Sequence, residues 1–114
     1  MMGKIACTEE LQGVQSTLVG RLRSTAGDVY TMGVGGLVHV LHELALDCHS
    51  LQVRCWSDGV VPVSASVVRL RDVLGSCIQT LCGCRLGVAD GAIDYLTVWA
   101  LLSTCADALE GVKL

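Results

Sequence analysis

Apolar residues recur along most of this chain at alternating steps of three and four, the spacing of one helix face rather than the strict alternation of a strand. Four stretches carry the pattern and predict helices over about 8–24, 28–56, 65–86 and 90–110. In the first, Leu11, Val14, Leu18 and Leu22 share a face, Thr8 is placed to cap the start, and Glu9 and Glu10 complement the positive end of the helix dipole. Arg21 and Arg23 suit the opposite end, and the Ala26-Gly27 step is expected to stop the helix.

The second stretch carries the clearest pattern. Tyr30, Val34, Leu37, Leu41, Leu44, Cys48, Leu51 and Cys55 form a heptad seam, while Glu43, Asp47, Ser50 and Arg54 gather on the opposite side. Val38, Val40, Ala45 and Val53 widen the apolar arc, which places this helix centrally in its bundle. Its start is either Asp28, a good cap, or the region after Gly33-Val34-Gly35-Gly36, because glycine inside a helix costs about 1 kcal/mol relative to alanine.

Ser57-Asp58-Gly59 ends that helix, and Val60-Val61-Pro62-Val63 reads as an extended link. Ser64 or Ser66 then caps a third helix with Val67, Leu70, Leu74, Cys77, Leu81, Cys84 and Val88 inward, Arg69, Asp72, Ser76 and Gln79 outward, and an end near Gly87. Asp90 is expected to cap the fourth, with Asp94 in its first turn and Tyr95, Val98, Leu102, Cys105 and Leu109 along one face. Ile93, Leu96, Trp99 and Leu101 spread apolarity around the rest of that helix. The expected fold is therefore all-α, a four-helix antiparallel bundle or a compact helical array, forming a single helical domain over residues 1–114.

Composition sharpens this picture. Charged residues are 17% of the chain, against about 25% in an average soluble domain. A domain of this size buries only about two-thirds of its unfolded surface, so some of the apolar excess must be covered from outside. A membrane is not the expected cover: the longest uncharged run, Val29 to His42, has 14 residues, short of the ~18 a spanning helix needs. The expectation is a protein partner, as a homo-oligomer or as a subunit of a hetero-complex, met through Tyr95, Val98, Trp99, Leu101 and Leu102 of the fourth helix. A net charge of −3, no basic run and no Phe argue against nucleic acid. Seven cysteines, an odd number with no signal-peptide pattern before them, suggest a reducing, cytoplasmic setting.

Several residues invite a chemical reading. His39, His42 and His49 lie on one flank of the second helix with Leu46 and Val53, but helical rise separates His39 from His49 by about 15 Å, so only His39 and His42 are spaced to share an ion. The cluster Cys77, Cys82 and Cys84 lacks the paired CxxC spacing of zinc knuckles, and Cys77 and Cys84 occupy seam positions where cysteine packs as a small hydrophobe. Cys82, off the seam, is the thiol expected to be reachable. No metal or cofactor is expected; His39, His42, Cys82 and Cys84 are the residues a metal would have to use. Met32-Gly33-Val34-Gly35-Gly36 lacks the Lys-Ser/Thr of a nucleotide loop and reads as a hinge or as glycines that let another helix come close, and Gly3 and Cys7 only faintly resemble a lipidation signal. No nucleophile elbow surrounds a serine or cysteine. The reading that results is a non-enzymatic helical subunit or adaptor, with a small metal- or thiol-dependent regulator as the alternative and a bundle enclosing a small apolar ligand as a weaker third.

Overall fold

The computed structural model describes residues 8–56 and 64–114. These form four α-helices, α1 (Thr8–Asp28), α2 (Gly33–Trp56), α3 (Ala65–Ala89) and α4 (Tyr95–Glu110), with a 3-10 turn at Val29–Thr31 and no strand among the described residues. The helices run up and down around one core in a body 48 × 20 × 19 Å. Contacts between opposite ends of neighbouring helices establish the antiparallel order. Arg54 near the end of α2 pairs with Glu10 at the start of α1 (2.9 Å), and Gln52 Nε2 donates to the carbonyl of Arg71 early in α3 (3.1 Å). The Cys77 thiol donates to the Cys105 carbonyl across the α3–α4 contact, and Tyr30 just past α1 meets Tyr95 at the start of α4. The most extensive contact is α2 on α3, followed by α1 on α4.

The heptad seams fill the interior. Leu37, Leu41, Leu44 and Leu51 of α2 and Leu70, Leu74 and Leu81 of α3 are fully or almost fully buried, each contributing on the order of 1.5–3 kcal/mol. Cys48, Cys55, Cys77, Cys84 and Cys105 occupy the same layers as small side chains between the leucines. The buried Gln15 side chain is bonded: its Nε2 donates to the carbonyls of Leu109 (2.5 Å) and Val112 (2.9 Å), fastening α1 to the end of α4 and the turn that follows it.

Four boundaries differ from those the sequence suggests, each for a local reason. The Ala26-Gly27 step does not stop α1, which continues to Asp28; burial of Thr25, Ala26 and Val29 outweighs the cost of one helical glycine. Helix α2 begins at Gly33, neither at Asp28, whose side chain makes no cap bond there, nor after Gly36, and Gly33 takes the positive φ of +76° that turns the chain into the new helix. At the α3–α4 corner, α3 runs past Gly87 to Ala89 because that glycine makes room for Ile93; a Cβ there would lie 2.3 Å from Ile93 Cδ1. Asp90 ends α3, its N–H donating to the Leu86 carbonyl, rather than starting α4. The α4 cap is Asp94, which accepts from the Thr97 N–H at 2.8 Å; hydrogen bonding from the Thr97 side chain, and then from that N–H, holds its carboxyl below its ordinary value. Ser64 caps α3 as expected, accepting from the Val67 N–H (3.2 Å). The stop at Ser57-Asp58-Gly59, the extended link through Val63, and Gly3 and Cys7 lie outside the described residues.

Candidate interaction surfaces

Most of the exposed large apolar side chains lie on the outward faces of α2 and α4; the others are Tyr30 in the 3-10 turn and Leu86 near the end of α3. On α4, Leu96 is 61% exposed and Trp99 45%. Tyr95, one turn before Trp99, is half-buried and meets the ring of Tyr30 edge-on, with centroids 5.9 Å apart. Tyr30 itself is mostly exposed, as is Val34 in the first turn of α2. Because side chains three and four apart are helix neighbours, Tyr95, Leu96 and Trp99 form one continuous patch, which the Tyr30 ring extends across the corner.

This placement divides the expected partner residues. Val98 and Leu102, expected at the partner surface, are instead fully buried in the bundle's own core. Leu101 is half-buried against that core. Trp99, with Tyr95 at its edge, faces outward. Tyr30 and Val34 move the opposite way: their spacing fits the α2 seam, but they precede the point where α3 covers it, so the buried seam starts at Leu37. The signal for an exposed Tyr30 is the glycine-rich stretch that follows it, which displaces the helix start.

On α2 the face turned away from the bundle is made by His39, His42, Leu46, His49, Val53 and Trp56, all exposed. The polar residues Asp47 and Arg54 do not face open solvent in that direction. They lie beside α1, where Asp47 pairs with Arg21 and Arg54 with Glu10. Arg21 and Arg23 accordingly act less as dipole partners than as cross-links, Arg23 reaching Asp107 and Glu110 of α4.

The candidate ligands do not converge. His39 Nε2 lies 3.6 Å from Glu43 Oε1, and among the described residues no three His, Cys, Asp or Glu side chains are grouped to hold an ion. Cys82 is half-buried and Cys84 buried, on different sides of α3. Burial pushes the Cys48 thiol up to about 12, with Cys105 adding to the effect, and raises Cys55 and Cys84 as well. Cys77 is raised by its hydrogen bond with Cys105 and then by burial. These thiols stay protonated, and the thiolate is the reactive form.

Two surface grooves flank α1. One, of about 440 Å³, lies between α1 and the segment after α4, and includes Gln12, Gln15, Ser16 and Glu110. The other, about 270 Å³, runs between α1 and α2 beneath the Arg21–Asp47 pair. No family model matches the chain, and no curated protein or solved structure matches it. No helix among the described residues is long and apolar enough to cross a membrane.

Proposed function

We propose that this chain is a non-enzymatic helical subunit or adaptor that docks onto a protein partner through the end patch of Tyr30, Tyr95, Leu96 and Trp99. The observation that carries the reading is the concentration of three of the chain's four aromatic side chains at one end of the bundle, with Tyr30 and Tyr95 in edge-on ring contact and Tyr30 and Trp99 exposed. Single exposed apolar residues are ordinary on soluble proteins, but a contiguous aromatic patch is the composition of interface centres. Large rigid rings also supply most of the binding energy where they are buried by a partner.

The test is native affinity purification of the wild type beside Leu96→Glu and Trp99→Glu, with Asp72→Asn on exposed α3 as control. A chain recovered stoichiometrically with wild type and control, and lost with both α4 variants, supports the role. Recovery that is indifferent to the two α4 substitutions contradicts it.

A further inference from the structure

The outward face of α2 repeats every heptad as faithfully as its buried face. His39, His42, Leu46, His49, Val53 and Trp56 step by three and four, the spacing of a coiled-coil seam, yet no helix of this chain covers them among the described residues. Leu46, Val53 and Trp56 are each more than half exposed, and the stripe runs about 25 Å along the axis.

From this stripe we infer that two copies of the chain pair antiparallel through the outer face of α2, about a two-fold axis between residues 47 and 48. The inference concerns a different surface from the α4 end patch and stands or falls separately from it. Its basis is the order of residues along the stripe. That axis sets His39 opposite Trp56, His42 opposite Val53 and Leu46 opposite His49, so every layer joins one imidazole to one apolar side chain and no two imidazoles meet. A parallel pair would instead stack His39, His42 and His49 each on its own copy, three layers of like groups. An isologous interface uses the same patch on both subunits and must be self-complementary in this sense.

Charge supports the same occupant. The ionic residues of this part of α2, Asp47 and Arg54, are engaged by Arg21 and Glu10 of α1, away from the stripe. Glu43 stands at the edge, held near His39. Trp56 is pre-positioned, since the Arg71 guanidinium lies 3.9 Å from its ring centroid on one side and the ring is still 58% exposed. Six side chains per copy make a small contact beside the roughly 20–30 residues of a standard interface, so the dimer is weak and concentration-dependent.

Sedimentation velocity on the full chain over a wide concentration range tests the arrangement. Wild type is expected to pass from monomer to dimer as concentration rises. Val53→Lys, which enters the interface twice, weakens the dimer by at least about 30-fold, while circular dichroism shows the helices unchanged. His42→Glu combined with Val53→Lys on one chain restores it, because positions 42 and 53 meet across the axis and form two opposite-charge pairs. Three results would overturn the inference: a wild type that stays monomeric throughout, a double variant no better than Val53→Lys, or a dimer abolished by Trp99→Glu and untouched by Val53→Lys. The last would leave the α4 patch as the self-association surface.

Discussion

Helix α2 carries two heptad stripes that share one backbone and nearly the same spacing. The inner one, Leu37, Leu41, Leu44, Cys48, Leu51 and Cys55, is at most 1% exposed. Every member of the outer one, from His39 to Trp56, is exposed. Both would close a seam; they differ in chemistry. Leucine and cysteine have no polar group that must be satisfied, so the inner stripe can be sealed inside a monomer. Histidine keeps a polar edge that prefers water or a partner, and alternating it with leucine, valine and tryptophan makes a face that tolerates exposure and still gains from being covered. Spacing identifies a face, and side-chain chemistry decides whether folding or association buries it.

The widest separation between the stripes is expected in thiol reactivity. In His49→Cys the introduced thiol sits next to Cys48 in sequence but on the exposed stripe. Mass spectrometry after brief alkylation should show it modified at least about a thousand-fold faster than Cys48, whose access requires the bundle to open. Equal rates would mean that α2 is not held against the core. Stability comes next. Leu44→Ala should cost about 2–5 kcal/mol in urea denaturation, whereas Leu46→Ala, two residues on, should stay within about 0.5 kcal/mol at concentrations where the chain is monomeric. A smaller contrast is expected from serine. Cys48→Ser places a hydroxyl in the leucine core at a cost of about 1–3 kcal/mol, while His49→Ser leaves the urea midpoint near wild type. The smallest effect belongs to the ion pairs that close the α1–α2 groove. Asp47→Ala, at a half-exposed pair, should cost no more than about 1 kcal/mol.

Much of the bundle was legible in the sequence because its signals are local. Leucine spacing, the Ser64 cap and the inward cysteines each report on a helix by itself, and one proline leaves little room for strands. What was less legible depends on neighbours. Gly27 reads as a stop until the burial of Ala26 and Val29 is known, and Asp90 reads as the α4 cap, with Asp94 in the first turn, until Gly87 and Ile93 fix the corner. Val98 and Leu102 look like a partner surface because α4 is apolar on most sides, and only the packing of α1 and α3 shows which side is already taken. The histidine flank was visible as a pattern, but its neighbours Asp47 and Arg54 were assigned to open solvent, and it is their pairing with α1 that leaves the histidine stripe as the outermost face.

The central claim is that the outer heptad of α2 is an association surface, and it is tested most directly by sedimentation velocity of wild type beside the His42→Glu, Val53→Lys double variant and the single Val53→Lys variant. The account predicts a concentration-dependent dimer in the first two and a monomer in the third. A wild type that remains monomeric at every concentration would contradict it.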